Sequence, residues 1–183
     1  MLENRLIEYC APTLAGIKSA SLFSYFYQDR ENASRELKRA NVLLNERGVC
    51  VEALLWREDS VLVYTYRPKH LQMELNRAGV LELLSGYGYR DCDIGHCIRH
   101  LKQRLHSESC FPHEIGLFLG YPLEDVKGFI ENKGKNCKSC GLWKVYCNET
   151  EKEKLFAKFT KCTEVYMRVF RAGRKLSQMT VCR

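Results

Sequence analysis

Apolar residues recur at helical spacing in one part of the chain, and β-branched and aromatic residues typical of strands dominate the part that follows. Over 31–47 most residues are good helix formers, and Gly48 ends the stretch. The positions predicted to face inward at helical spacing are Leu37, Ala40, Leu43 and Leu44. Two β-branched and aromatic runs follow, VCVEALLW at 49–56 and SVLVYTY at 60–66, separated by a short polar turn. The pattern predicts a helix followed by a β-hairpin.

Helical spacing also dominates the rest of the chain. Residues 2–9 predict a short helix that Ala11 and Pro12 end. The other predicted helices are 68–84 with a break near Gly79, a helix capped by Asp91 or Asp93, two short helices that begin at Pro112 and Pro122, and a long last helix capped by Asn148. Segment 14–26 predicts a loop followed by a strand, and GLWKVYC at 141–147 predicts a strand.

The order of these elements indicates the fold class. Because strands and helices do not alternate regularly, we predict an α+β fold, with a small, largely antiparallel sheet covered by several helices. No linker or internal repeat interrupts the pattern, so we predict a single domain over 1–183.

Composition describes a globular protein of 183 residues, with 45% hydrophobic residues, 28% charged residues and a formal charge of +7. The start, MLENRLIEYCAPTL, carries two glutamates and lacks a continuous apolar segment, so we predict a cytoplasmic protein that does not enter the membrane. The ten cysteines are then expected to be free, metal-bound or redox-active rather than paired in disulfides. The sequence indicates no oligomeric state.

The densest group of thiols is Cys137, Cys140 and Cys147. Cys137 and Cys140 have the spacing of two ligands to one tetrahedral Zn or Fe ion, and Cys147 could supply a third ligand. A fourth ligand would have to come from Cys110 or His113, and the predicted strand separates Cys147 from Cys140. The alternative is an exposed loop whose thiols share no role.

A second row of possible ligands is Cys92, His96 and His100, which recur every fourth residue. A helix cap at Asp93 would leave Cys92 outside the helix. The neighbouring basic residues favour a basic solvated surface instead: Arg99, Lys102 and Arg104.

The segment from Cys110 to Glu114 combines a thiol, an imidazole and a carboxylate at a predicted helix start. If Pro112 begins a helix, its dipole favours a Cys110 thiolate and a neutral His113, the forms required of a nucleophile, a base or metal ligands. The same dipole would stabilise the Glu114 anion. The alternative is an ordinary helix start with a buried thiol and a first-turn acid.

Cys10 and Lys18 bracket the segment CAPTLAGIK, which is mostly small and apolar. A partly desolvated Lys18 would have a lowered pKa and could bind an anion or act as an amine nucleophile. The alternative is a lysine whose methylene groups pack while its ammonium stays in water.

The segment EIGLFLGYPLEDVKGFI at 114–130 matches the core spacing of a helix-turn-helix, and the positive net charge has the right sign for nucleic acid. Glu124 and Asp125 oppose DNA binding, because they place acids in the first turn of the helix that would approach phosphates. The sequence therefore favours a pair of packed helices with a structural role over a DNA-binding unit.

The motifs CAPTLAGIK, PHEIGLFLGYPLEDVKGFI and GLWKVY resemble a family of uncharacterised bacterial proteins of similar length, found mainly in anaerobic Firmicutes. The resemblance runs from Tyr9 to the region of Arg174 and implies no activity, because the family is a domain of unknown function. The positions that match the family's motifs are Cys10, Pro12, Gly16, Lys18, His113, Glu114, Gly120, Tyr121 and Pro122. The thiols at 137, 140 and 147 are less typical of that pattern.

These patterns predict a small anionic ligand or cofactor in a pocket built from segments 10–18 and 110–122. The residues assigned to that pocket are Lys18 as the partner of the anion, His113 and Glu114 as orienting or proton-transferring groups, Tyr121 as a further binding residue, and Cys10 or Cys110 as a thiolate. An enzyme needs a thiol or an amine within hydrogen-bond reach of the imidazole, whereas a binding protein does not, so the sequence leaves this choice open. It names no cofactor. The alternatives are a metal-binding module, a DNA-binding regulator and a structural or interaction protein.

Overall fold

The computed structural model describes residues 1–107 and 110–182 and confirms the predicted α+β fold. Within these residues the helices are α1 (Leu2–Leu14), α2 (Arg30–Asn45), α3 (Pro68–Leu75), α4 (Val80–Ser85), α5 (Ile94–Ser107), α6 (Ile115–Phe118), α7 (Leu123–Glu131), α8 (Glu149–Arg171) and α9 (Leu176–Met179). The strands are β1 (Ala20–Phe26), β2 (Cys50–Trp56), β3 (Ser60–Tyr66), β4 (Ser139–Cys140) and β5 (Lys144–Val145).

The chain divides into two compact units. Unit 1 consists of Met1–Leu71 and the residues from Lys161 onward, and unit 2 consists of Gln72–Thr160. The assignment of one domain to 1–183 stays a prediction.

Unit 1 contains a three-stranded antiparallel sheet in the order β1-β3-β2. β2 and β3 form the predicted hairpin, and β1 pairs along the other edge of β3, so that Ala20 and Cys50 both lie opposite Tyr66. All residues of β3 are buried. A central strand that is covered on both faces needs no polar side, which explains its unbroken β-branched and aromatic composition.

Helix α1 packs against β1 and α2 packs against β2. The Asp29 carboxylate caps α2 by accepting the Glu31 N–H at 2.9 Å. The buried residues of α2 recur at helical spacing: Ala33, Leu37, Ala40 and Leu44. Three of the predicted inward positions, Leu37, Ala40 and Leu44, are therefore confirmed, whereas Leu43 was predicted inward and is 36% exposed.

The predicted end of the first helix is wrong, because α1 continues through Ala11 and Pro12 to Leu14. Pro12 lies in the last turn, where its missing N–H removes one helical hydrogen bond. Complete burial of Cys10, Ala11 and Leu14 offsets that loss. Cys10 consequently lies inside the helix and in the core, rather than just after a helix.

The predicted break near Gly79 is confirmed, since Gly79 lies between α3 and α4 with a left-handed φ of 78°. The cap predicted for α5 is also present, because the Asp93 carboxylate accepts the His96 N–H at 2.9 Å. Cys92 precedes Asp93 and lies outside the helix.

Two predicted boundaries in unit 2 are wrong. Helix α6 begins at Ile115 rather than at Pro112, because residues 113–114 form a turn, and the helix has only four residues. Segment 141–147 is not one strand, because the chain turns back at 141–143 and pairs Cys140 with Lys144. The strand prediction therefore failed at a turn that short-range composition does not reveal.

The predicted long helix after Asn148 is confirmed as α8, but it is not the last helix, because α9 follows it. Among the described residues, no helix combines the length and the apolar character that a membrane crossing requires.

Candidate functional site

Unit 2 contains a cavity of about 380 Å³ bounded by the segment that leads into α6, by α7 and by the β4–β5 hairpin. The residues that line it are Phe111, His113, Ile115, Gly116, Leu119, Tyr121, Asp125, Val126, Phe129, Cys140, Gly141, Leu142, Trp143 and Lys144. Small-molecule sites are usually concave, mostly apolar and provided with a few polar groups. The cavity has this character and is the candidate functional site.

Asp125 holds the hairpin against α7. Its side chain is 2% exposed, and its Oδ2 atom accepts the Trp143 Nε1–H at 2.9 Å. Its Oδ1 atom accepts the backbone N–H groups of Tyr146 at 2.8 Å and Cys147 at 3.2 Å. Three N–H donors satisfy this buried carboxylate, so the position of the hairpin depends on one side chain of α7.

Trp143 and Tyr121 form an aromatic wall of the cavity. Their rings are stacked with centroids 4.5 Å apart and an interplanar angle of 24°. Trp143 also contacts the edge of Phe156, at a centroid distance of 4.5 Å. Gly141 is required for this packing, because a Cβ atom there would overlap the Phe156 ring. The Trp143 ring is thus packed between Tyr121 and Phe156.

The Phe129 ring lies next to two polar side chains that line the cavity, His113 and Lys144. It meets the His113 ring at 4.9 Å and an angle of 62°, and it lies 5.9 Å from Lys144 Nζ. Lys144 Nζ donates to the Gly134 carbonyl at 2.5 Å. An ammonium carries three hydrogens, and in the described part of the chain no carboxylate lies within 4.0 Å of this one. The cavity therefore has one cation without an acidic partner.

Gly116 permits the close approach of α6 and α7. A Cβ atom at this position would lie 2.8 Å from Val126 Cγ2 and 3.2 Å from Tyr121 Cδ2. Any larger residue would push these side chains toward the cavity, so the shape of the site depends on this glycine.

Of the residues predicted for a site, the cavity contains His113, Tyr121 and Cys140. Glu114 does not line it. The Glu114 side chain is 0% exposed, and its Oε1 atom accepts from Arg104 Nε at 2.5 Å and from the Tyr89 hydroxyl at 3.2 Å. Its Oε2 atom is buried without a hydrogen-bond partner among the described residues. Glu114 is thus one half of a buried ion pair.

The helix start on which the dipole argument for Cys110 and His113 depends is not at Pro112 in the structure. Both residues precede α6, which begins at Ile115 and makes a single turn. Cys110 is exposed.

The other half of the predicted pocket, segment 10–18, belongs to unit 1. The N–H groups of Ile17 and Lys18 donate to the Pro12 carbonyl at 2.9 and 3.1 Å, which brings Lys18 back toward α1. Burial lowers the pKa of Lys18 to about 8, in the predicted direction. Burial raises the pKa of Cys10 to about 12, so Cys10 is a protonated thiol at neutral pH rather than the predicted thiolate.

The described residues contain no group of three or more His, Cys, Asp or Glu side chains arranged to hold a metal ion. Cys137, Cys140 and Cys147 are therefore not brought together as the predicted metal site requires. Instead, Cys147 Sγ lies 3.8 Å from Asp125 Oδ1, and burial raises the pKa of this thiol. The turn at 141–143 and the Asp125 contact decide where these thiols lie.

Two features of the structure disagree with the helix-turn-helix interpretation of 114–130. Its first helix is the single turn of α6. Asp125, in the first turn of α7, is buried against the hairpin rather than directed outward.

Sequence reasoning missed several residues of the cavity: Phe129, Leu142, Trp143 and Lys144. Leu142, Trp143 and Lys144 were missed because 141–147 was predicted to be one strand, and a strand would place alternate side chains on opposite faces. The aromatic and basic composition of GLWKVY was the available signal.

A family model described as "Protein of unknown function (DUF3793)" matches residues 6–180. Comparisons with the curated proteins and with the solved structures found no match. No ligand or activity is therefore carried over from a characterised protein.

Proposed function

The chain belongs to the DUF3793 family of proteins of unknown function, and we propose that it binds a small molecule with a flat apolar body and one anionic group in the unit 2 cavity. The proposal keeps the anionic ligand predicted from the sequence and assigns the role of its cation to Lys144 rather than to Lys18. The observation that carries it is the presence of the Tyr121–Trp143 wall and the Lys144 ammonium in one cavity.

The size and walls of the cavity support a ligand with one or two rings. Its volume of about 380 Å³ lies in the range of about 300–1,000 Å³ that is usual for small-molecule sites. Stacking on an aromatic wall contributes about 0.5–1.5 kcal/mol beyond the area buried. Phe111 and Leu142 line the cavity and are 44% and 52% exposed, so a bound ligand would remove apolar surface from water.

The charges in the cavity support an anionic group on that ligand. The two acceptor oxygens of Asp125 are occupied by N–H donors of the protein, whereas Lys144 contacts a backbone carbonyl and a ring. A carboxylate or sulfonate beside Lys144 would complete a charge-assisted hydrogen bond. His113 lines the same cavity and could donate a second one.

Binding rather than catalysis is proposed. In the part of the chain that the structure describes, His113 has an edge contact with Phe129 and no hydrogen bond to a thiol or an amine. Two of the three nucleophiles predicted from the sequence, Cys10 and Lys18, belong to unit 1. The third, Cys110, belongs to unit 2 and is exposed. The pairing of base and nucleophile that an enzyme of the predicted type needs therefore has no support within unit 2.

The other functions considered from the sequence gain no specific observation. The metal-binding module, the DNA-binding regulator and the structural or interaction protein stay alternatives. Cytoplasmic location and an anaerobic bacterial source likewise stay predictions from the sequence.

The test uses 8-anilinonaphthalene-1-sulfonate, because this dye combines flat aromatic groups with one sulfonate. Fluorescence titration of the folded full-length protein is expected to give one saturable site, with energy transfer from Trp143 to the dye. Lys144→Met is expected to weaken binding about tenfold, which corresponds to about 1.4 kcal/mol for one charge-assisted contact.

Two controls separate this result from general effects. N-phenyl-1-naphthylamine has the same ring systems without the sulfonate, so Lys144→Met should leave its affinity unchanged. Lys138→Met removes the same charge at an exposed position outside the cavity, and it should change neither titration. The proposal is lost if no saturable site is found, if both dyes weaken equally in Lys144→Met, or if Lys138→Met has the same effect as Lys144→Met.

A further inference from the structure

A second cavity in unit 2, of about 630 Å³, lies between the loop at 88–91 and one face of α5. His96, Arg99, His100 and Gln103 line it from the helix, where they share a face at helical spacing. Arg90 and Asp91 line it from the loop. None of these side chains lines the cavity proposed above to bind an anionic ring compound.

The floor of this cleft is built from buried contacts. The Tyr89 side chain is 3% exposed and meets the edge of the His100 ring at 4.4 Å. His100 Nε2 donates to the Tyr87 carbonyl at 2.9 Å. Gly88 makes room for this imidazole, because a Cβ atom there would lie 3.3 Å from His100 Nε2. The loop is thus held in one position against α5.

The charges that line the cleft are two arginines and one aspartate. Asp91 is engaged within its own loop and helix, since its carboxylate accepts from His96 Nδ1 at 2.9 Å and from the Asp93 N–H at 2.9 Å. In the described part of the chain, neither Arg90 nor Arg99 lies within 4.0 Å of a carboxylate. Two exposed guanidinium groups therefore face the cleft without an acidic partner.

The row of thiol and imidazole groups that the sequence offers here does not form a metal site, since the described residues contain no group of three or more His, Cys, Asp or Glu side chains arranged to hold a metal ion. One ring nitrogen of each histidine is engaged in a hydrogen bond, His96 Nδ1 with Asp91 and His100 Nε2 with the Tyr87 carbonyl. The Cys92 thiol donates to the Leu75 carbonyl at 3.2 Å. An anion is consequently the better match to the cleft than a cation.

We propose that this cleft binds a small molecule through a phosphate group, held by Arg90 and Arg99. A guanidinium presents a planar fork of N–H donors that matches two phosphate oxygens. Gln103 supplies an amide donor on the same helical face. The volume of about 630 Å³ exceeds the space that a lone carboxylate needs and accommodates a nucleotide-sized ester.

The experiment is a calorimetric titration of the full-length protein at low ionic strength with AMP, adenosine and inorganic phosphate. AMP is expected to bind with one-to-one stoichiometry and adenosine is expected not to bind. Arg90→Gln and Arg99→Gln should each weaken AMP binding about tenfold or more. The titration with inorganic phosphate shows whether the ligand is free phosphate or a phosphate ester. An affinity for phosphate equal to that for AMP indicates a site for free phosphate, and a weaker affinity indicates a site for an ester.

Arg35→Gln is the matched control, because Arg35 is an exposed arginine on α2 and its loss makes the same change in net charge. The inference is overturned if Arg35→Gln weakens AMP binding as much as Arg99→Gln, or if adenosine binds as well as AMP. It is also overturned if AMP does not bind, or if a short single-stranded RNA binds much more tightly than AMP and loses affinity equally in all three variants.

Discussion

Burial governs the ionisation of the reactive side chains in unit 1. Burial raises the pKa of Cys10 to about 12 and lowers the pKa of Lys18 to about 8. The surroundings of Cys10 include a buried hydroxyl pair, Thr13 Oγ1 and Ser21 Oγ, which are 2.9 Å apart. The two residues singled out at this end of the chain thus differ: burial keeps Cys10 a protonated core thiol at neutral pH, whereas it makes the Lys18 ammonium easier to deprotonate.

The lowered pKa of Lys18 predicts a pH-dependent contribution to stability. An unfolded lysine titrates near about 10.4, so between pH 8 and that value the unfolded chain binds more protons than the folded chain. Stability contributed by Lys18 is therefore present above about pH 10.4 and is lost as the pH falls through about 8. The difference in unfolding free energy, wild type minus Lys18→Met, should rise by up to about 3 kcal/mol over this interval.

Urea unfolding of both proteins at a series of pH values measures this difference. The tyrosines are present in both proteins, so their own titrations cancel in the comparison. The Lys18 charge lowers the pKa of Cys10, but this pKa is about 12 in the folded protein and lies above the interval measured. A difference that stays flat, or that falls with rising pH, would show that Lys18 is not desolvated in the folded state.

Among the elements, the β4–β5 hairpin depends most on a single side chain. Each of its strands has two residues, and an isolated two-stranded hairpin is marginal in water. Asp125 on α7 accepts N–H groups from Trp143, Tyr146 and Cys147. The hairpin, and with it the aromatic wall of the candidate site, is therefore stabilised by a contact with α7.

We predict that Asp125→Ala lowers the free energy of unfolding by about 2–4 kcal/mol, because it leaves three N–H groups without their acceptor. Trp143 should become more exposed, with a red-shifted emission. Glu124→Ala is the control: Glu124 is an exposed acid next in sequence, and its loss should change stability by less than about 0.5 kcal/mol. Equal effects of the two substitutions in urea unfolding would contradict the role assigned to Asp125.

For the molecule as a whole, Arg67 joins parts of unit 1 that are far apart in sequence. Its side chain is 1% exposed. Nε donates to the Thr13 carbonyl at 2.6 Å, and Nη2 donates to the carbonyls of Leu14 and Val181 at 2.7 Å each. One guanidinium thus holds the end of α1, the end of β3 and the C-terminal segment together.

We predict that Arg67→Lys lowers the free energy of unfolding by about 2–4 kcal/mol, because an ammonium cannot reproduce the planar fork that reaches all three carbonyls. Cleavage by a protease near Val181 should become faster, as followed by mass spectrometry. Arg39→Lys, at an exposed position on α2, should change neither property. Unchanged stability and cleavage in Arg67→Lys would contradict this role.

The positions of the basic residues in the structure show why the net charge of +7 says little about function. Arg67 is buried against carbonyl groups, and Arg104 is paired with Glu114. These cations contribute to the total without contributing to a binding surface. The charge is therefore a poor guide to function, whereas Arg90 and Arg99 are informative because of where they lie.

The sequence by itself determined the elements whose signal is local. Four features depend on residues that lie within a few positions of one another: the apolar face of α2, the β2–β3 hairpin, the break at Gly79 and the Asp93 cap. Fold class followed from the order of these elements. Part of the candidate site was also predictable, because His113 and Tyr121 flank a short helix that marks one wall.

Only the tertiary structure decided which side chains meet. The ionisation of Cys10, the partners of Asp125 and Arg67, and the presence of Lys144 in the cavity depend on segments that are distant in sequence. Pro12 inside α1 and the turn at 141–143 show the same effect on backbone structure. The physical reason is that burial and hydrogen bonding between segments outweigh local preference, and neither can be read from spacing along the chain.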